Sequence, residues 1–208
     1  DFASLQQTAL NFITEAPDFG HIFKHIIVDE YQDTNTIQQS IYMALASGYH
    51  NICVVGDDDQ ALYRFRGATV ENLIDFENIC DFYLQERPTR IDLNINYRSR
   101  KQIVNTYVQF IEDCDWENSD NPDECYRIMD KNIQAFSEDE RSAVLHSWGK
   151  KEEVVSEIVD FVIRLKEEGK IADYNQCAFL FPSLRGSQDG MSAPVKAFAD
   201  AFSELGVN

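Results

Sequence analysis

The sequence predicts an α/β fold built on parallel strands, and three observations carry that prediction. Two short apolar runs, His25 to Asp29 and Ile52 to Val55, read as buried strands. A helical stretch from about Asn35 to Ser47 lies between them, and strand, helix, strand over about thirty residues is a crossover that makes the strands parallel. Both strands run straight into acid, as IIVDEYQDT (Ile26 to Thr34) and GDDDQ (Gly56 to Gln60), so two carboxylate-rich tips share one sheet edge. In open α/β sheets ligands bind outside such strand ends.

The elements follow in order. Phe2 to Glu15 carries Phe2, Leu5, Ala9, Leu10, Phe12 and Ile13 close to a helical stripe, ended by Pro17 and Gly20. Asp33, Thr34 and Asn35 are candidate caps of the helix between the strands, and Gly48 stops it. After the GDDDQ turn a helix is expected over Val70 to Asn78, then a short strand over Phe82 to Leu84. Arg87, Pro88 and Thr89 read as a linker, which places a boundary between a domain at 1–88 and a second at 89–208. The second opens with a strand, Ile91 to Asn96, and a helix capped by Ser99 and bearing Ile103, Val104, Tyr107 and Ile111. Ala143 to Trp148 and Cys177 to Phe181 read as strands. Glu152 to Glu168 reads as a helix with Val155, Ile158, Val159, Val162 and Leu165 inward, and Val195 to Leu205 as a last helix.

The 208 residues are 44% hydrophobic, ample for a packed core, and no apolar stretch reaches the roughly 20 residues that span a bilayer. With 18 basic and 36 acidic residues the formal charge is −18, which argues against a nucleic-acid partner, because phosphate binding draws on Lys and Arg. Part of that charge is local. Glu112 to Glu124 holds seven acids and no Lys or Arg, and it reads as a solvated loop. Five cysteines with no CxxC pair favour free thiols in a reducing, cytoplasmic setting. Cys53 and Cys177 read as core fillers, and with no histidine near Cys114 and Cys125 a metal site there is not expected.

Three motifs now stand in order: DEYQDT, GDDDQALYRFRGA (Gly56 to Ala68) and NYRS (Asn96 to Ser99). They resemble motifs II, III and IV of the UvrD/Rep-type superfamily 1 DNA helicases, and the resemblance is specific up to about Phe110. It implies two RecA-like (P-loop NTPase) lobes, both incomplete in these residues, with motifs II and III on 1–88 and motif IV on 89–208. It implies ATP and Mg²⁺ as cofactors, single-stranded DNA and duplex junctions as partners, 3′ to 5′ travel, and a setting in DNA repair. No GxxxxGK[ST] P-loop occurs, so the chain is expected to be a central piece of a larger motor and to lack ATPase activity alone.

The resemblance assigns roles residue by residue. Asp29 holds Mg²⁺ through its water shell, and Glu30 orients and deprotonates the attacking water. Gln60 senses the γ-phosphate, Arg98 is the arginine finger, and Tyr97 stacks on adenine. Tyr63 and Phe65 form base pockets for single-stranded DNA, with Arg66 on the backbone or a base. The family often carries Trp where Phe65 stands, and a smaller face stacks more weakly. Asp57 is read as bracing its turn, and Asp58, Asp59 and Arg64 as solvated. Ser183 and Arg185, in FPSLRG, stand where the family commonly has a Tyr-Arg-Thr-Asn type run that touches DNA, so the departure leaves them the weaker contacts. Two other readings stay open: the motor part of a helicase-nuclease, and a non-catalytic acidic interaction module on a helicase scaffold.

Overall fold

A computed structural model describes residues 1–117, 125–141, 144–186 and 190–207. The chain divides into two compact units, Asp1–Ala143 and Val144–Asn208.

In the first unit, α1 (Phe2–Glu15) is capped by Asp1, whose Oδ1 accepts the Ser4 amide at 2.8 Å. It packs on α2 (Thr36–Ala46). β1 (Ile26–Val28) and β2 (Ile52–Val54) flank α2 in sequence and pair in parallel, Ile26 opposite Ile52 and Val28 opposite Val54. The crossover read from the sequence is present. Asn35 is the cap: its Oδ1 accepts the Gln38 amide at 2.8 Å while its own amide donates to Gln38 Oε1 at 2.9 Å, a reciprocal pair worth about 1 kcal/mol.

The core gathers Met43 and Ala46 of α2 with Cys80 and Leu84, and Ile26, Ile52, Phe76 and Ile79 pack against it. Burial pushes the Cys80 thiol up to about 11. Cys80 and Leu84 belong to a helix, which corrects the strand expected over Phe82 to Leu84. The expected helix over Val70 to Asn78 is instead two, α3 (Glu71–Ile74) and α4 (Phe76–Leu84), broken at Asp75 and stopped by Gln85 at φ 56°. The physical reason is spacing. Phe76, Cys80 and Leu84 recur every four residues on one face, while Phe82 is left exposed. The expectation of two fully buried strands is also corrected. The two-stranded ladder turns Ile26 and Ile52 toward the core but Ile27 outward, 75% exposed, with Cys53 beside it, so Cys53 is no core filler.

Of the strand expected over Ile91 to Asn96, only β3 (Ile95–Asn96) pairs, in parallel with β4 (Gln134–Ala135), which the sequence did not suggest. Ile91 and Leu93 lie exposed. Between the two strands runs α5 (Lys101–Glu112), where Val104 is fully buried and Ile103 and Tyr107 face outward. Its cap residue is Arg100, not Ser99. Of the acidic loop, 118–124 lie outside the described residues. On either side of them Glu117 pairs with Cys125, and the Trp116 indole donates to the Ile111 carbonyl at 2.7 Å.

The second unit holds α6 (Lys151–Glu167) and α7 (Ala193–Glu204), packed on each other. Val155, Val159 and Val162 are buried, and Ile158 and Leu165 half-buried, on the face the periodicity indicated. The strands expected at 143–148 and 177–181 are not strands in the described residues, and Ala143 lies outside them. Cys177 is extended and half-buried, and the segment after it lays Phe179 against Phe198 and Phe202 of α7 at 5.1 and 5.5 Å, so aromatic packing stands in for a ladder.

Candidate nucleotide and nucleic-acid site

The parallel β1 and β2 end side by side, and the two acidic segments leave from those ends. Asp29 and Glu30 are both exposed there, and Asp29 Oδ1 accepts the Glu30 amide at 3.0 Å. Glu30 is held at φ 50°, a left-handed conformation that a bulky L-residue adopts at a cost of about 1–2 kcal/mol. It is fixed from both sides. The Glu30 carbonyl accepts the Asp33 amide at 2.9 Å, and the next residue, Tyr31, donates its amide to the Val55 carbonyl at 2.9 Å.

Gln32, which sequence reasoning passed over, ties the two segments together. It is 1% exposed. Its Nε2 donates to Glu30 Oε2 at 2.7 Å and its Oε1 accepts the Asp57 amide at 3.1 Å. The Asp57 carboxylate then accepts from Gln60 Nε2 at 2.7 Å. Glu30, Gln32, Asp57 and Gln60 therefore form one continuous chain of hydrogen bonds from the first strand tip to the second. Gly56 makes the approach possible, since a Cβ there would stand 2.7 Å from Gln32 Oε1 and 3.0 Å from Leu73 Cδ2. A second tie runs through Thr34: its carbonyl accepts the Thr69 amide at 2.9 Å and the buried Asn72 Nδ2 at 3.2 Å.

Asp58 and Asp59 are not solvated, which corrects the reading made from the sequence. Asp58 is 8% exposed, and its Oδ2 accepts the Ile128 amide at 2.7 Å. Arg127 grips Asp59 with two bonds of 2.7 and 3.1 Å. Lys131 Nζ lies 3.0, 2.6 and 2.9 Å from Asp57, Asp58 and Asp59. Burial alone would raise the Asp59 carboxyl, but bonds from Arg127 and Lys131 outweigh it and hold that carboxyl below its usual range. The Lys131 ammonium likewise loses by burial and gains more from the three carboxylates, so it is held above its usual range. The three acids lie close enough to chelate a metal, but the ammonium already sits among them. The signal available in the sequence was the run of three acids on one tight turn, which demands a counter-charge without saying from where.

The residues after this turn gather into a second cluster. Tyr63 and Phe65 rings stand 6.1 Å apart, and the Arg66 guanidinium lies 5.1 and 5.4 Å from their centroids. Phe65 is 78% exposed. A cleft of about 300 Å³ lies beside Tyr63 and Arg66, walled by Gln6, Asp33, Asn35 and Gln38. Burial first, and then the Glu30 carboxylate, hold Asp33 above the usual carboxylate range. Arg64 is largely exposed, in line with its solvated reading, and reaches Glu71 at 3.6 Å with the Tyr126 ring 5.8 Å away.

Asn96 shapes the NYRS turn, its Oδ1 accepting the amides of Arg98 and Ser99 at 3.0 and 2.8 Å. Tyr97 is 71% exposed, its ring centroid 4.9 Å from that of Phe136, and Arg98 is exposed. Among the described residues no bond joins Arg98 or Tyr97 to Asp29, Glu30 or Gln60. In the second unit, Ser183 donates to the Arg185 carbonyl at 3.0 Å, and Arg185 pairs with Met191 in an antiparallel bridge.

The first 82 residues match the UvrD/REP helicase N-terminal domain family. The ATP-dependent DNA helicase PcrA of Staphylococcus aureus strain Mu50 is 40% identical over 116 residues, and the PcrA of Staphylococcus epidermidis strain RP62A is equally similar. The aligned stretch covers 54% of this chain but 15% of each relative's length. The N-terminal part of the chain is therefore similar to UvrD/Rep-type helicases, as the sequence resemblance led one to expect.

Proposed function

We propose that these residues are part of an ATP-dependent DNA helicase or translocase, spanning the end of one RecA-like lobe (1–88) and the start of the next (89–208). The observation that carries this reading is the hydrogen-bond chain from Glu30 through Gln32 and Asp57 to Gln60, which joins the acid of motif II to the amide of motif III just before the exposed aromatic cluster. Such a chain lets a change at a phosphate be felt at a DNA base.

The residues fit nucleotide and Mg²⁺ at the strand tips. Asp29 and Glu30 are exposed carboxylates at the C-terminal edge of parallel strands, outside the acid cluster that Lys131 occupies. Bound there, Mg²⁺·ATP supplies the phosphoryl group that water attacks. Asp29 would hold the ion, and Glu30 would accept the attacking water's proton. Gln60 offers one amide N–H to Asp57 and keeps another N–H and its carbonyl for a γ-phosphate oxygen and a water. Arg98, held on the Asn96 turn, compensates transition-state charge once the lobes close, and Tyr97 stacks on adenine. Tyr63, Phe65 and Arg66 grip single-stranded DNA near a duplex junction, and alternating grip moves it 3′ to 5′. Cytoplasm is the compartment that fits.

The test is Glu30→Gln in the full-length protein. Hydrolysis is expected to vanish with ATP affinity nearly intact, because the amide keeps the shape and the Gln32 contact but takes no proton. Parallel loss of affinity and turnover would assign Glu30 to the architecture instead.

A further inference from the structure

We propose that Lys131 is a positioning residue for Gln60, acting through the Asp57 carboxylate; the inference rests on the reading of Gln60 as the γ-phosphate sensor. Gln60 is exposed, and among the described residues its side chain is anchored by Asp57 Oδ2 at 2.7 Å. The other oxygen of the same carboxylate receives Lys131 Nζ at 3.0 Å. The Asp59 backbone amide donates to the same Oδ1 at 3.2 Å, and a carboxylate with that oxygen held cannot rotate freely, so the lysine and the amide together set the direction in which it presents its second oxygen to Gln60.

Lys131 is itself unable to wander. Its side chain is 11% exposed, and it is shared with Asp58 at 2.6 Å and Asp59 at 2.9 Å. Those two are anchored in turn by the Ile128 amide and by the two-pronged Arg127 grip. Three carboxylates on one turn repel each other, and a solitary ammonium among them draws the turn into one conformation. Gln32 fixes the backbone of Asp57, and Lys131, with the Asp59 amide, fixes its side chain. Neither residue need touch nucleotide. Together they leave the Gln60 amide a single resting place, as supporting groups around catalytic side chains do.

A purely structural counter-ion would also sit among three acids, so the test must separate rate from folding. In the full-length protein, ATP hydrolysis with single-stranded DNA is measured for Lys131→Met, for Lys131→Met with Asp58→Asn, for Lys131→Arg, and for Gln60→Ala. The double variant removes one positive and one negative charge together and keeps the Asp59–Arg127 pair, Asp57 and Gln60, which restores folding without restoring the lysine. The expected result is a kcat about 10- to 100-fold down in the double variant. KM for ATP should stay within about twofold and thermal stability should be near wild type, while Lys131→Arg recovers part of the rate through its own donors. Wild-type kcat in the stable double variant, with Gln60→Ala strongly impaired, would overturn the positioning role and leave the sensor reading standing. Wild-type kcat in Gln60→Ala would overturn both.

Discussion

Gln32 and Asp57 are joined by a hydrogen bond of 3.1 Å, the Asp57 backbone N–H donating to the Gln32 side-chain oxygen across 25 residues of sequence. The same amide group donates to Glu30 at 2.7 Å, so one buried side chain serves both strand tips. An amide accepts from one neighbour through its oxygen and donates to the other through its nitrogen at once. A carboxylate in its place would face Glu30 with like charge.

Removal of that bridge should be felt in both stability and turnover. Gln32→Leu keeps the volume but leaves the Asp57 N–H without its buried partner, a loss of about 1–3 kcal/mol. Gly56→Ala should give a related loss by another route, because its Cβ collides with the Gln32 oxygen and with Leu73. Chemical denaturation reads the first effect, and DNA-stimulated ATPase in the full-length protein reads the second. If Gln32→Leu unfolded at the wild-type midpoint with unchanged turnover, the bridge would be incidental.

How far the sequence revealed this arrangement follows from the range of the forces involved. The β1–α2–β2 crossover was legible because apolar runs, the Asn35 cap and helical spacing are local signals. Fragmentary β3 and β4 were not, since a two-residue strand leaves no periodicity to read. Phe82–Leu84 misled because aromatic residues favour strands, while the spacing of Phe76, Cys80 and Leu84 decided for helix. Asp29, Glu30, Gln60, Tyr63, Phe65 and Arg66 could be picked out because they lie in short runs. Arg127 and Lys131 could not, because their partners are some seventy residues away and only tertiary structure brings charges together over that separation.

The ion cluster predicts a pH window. The Asp59 carboxyl is held below its ordinary value of 3.8, so its contribution to stability is complete above that value and is lost as pH falls through the lower folded one. Lys131 and Arg127 are both held above their ordinary values, so their contributions are complete below those values and are lost only as pH rises through the higher folded ones. The cluster should therefore hold from about pH 4 to about pH 10. Denaturation midpoints of this chain between pH 2 and 7 are expected to drop on the acid side, and Asp59→Asn should flatten that drop. An unchanged acid limb in the variant would mean that other carboxylates set it.

Arg98 and Phe65 stand at opposite ends of the proposed coupling path and can be separated by mutation. Both are exposed, Phe65 at 78%, so neither truncation should open a cavity or weaken the fold. Arg98→Ala in the full-length protein should cripple turnover with or without DNA, because transition-state charge goes uncompensated; a finger of this kind supplies about 10³ to 10⁵ in rate. Phe65→Ala should weaken single-stranded DNA binding by about 1–3 kcal/mol and damage unwinding, while hydrolysis without DNA survives. The adjoining Tyr63 and Arg66 keep their own contact at 5.1 Å when Phe65 is gone, so some grip on DNA should remain. Fluorescence anisotropy with a labelled oligonucleotide and a phosphate-release assay measure the two arms on the same preparations. If Phe65→Ala bound DNA and unwound it as the wild type does, the base-pocket role would pass from Phe65 to its neighbours.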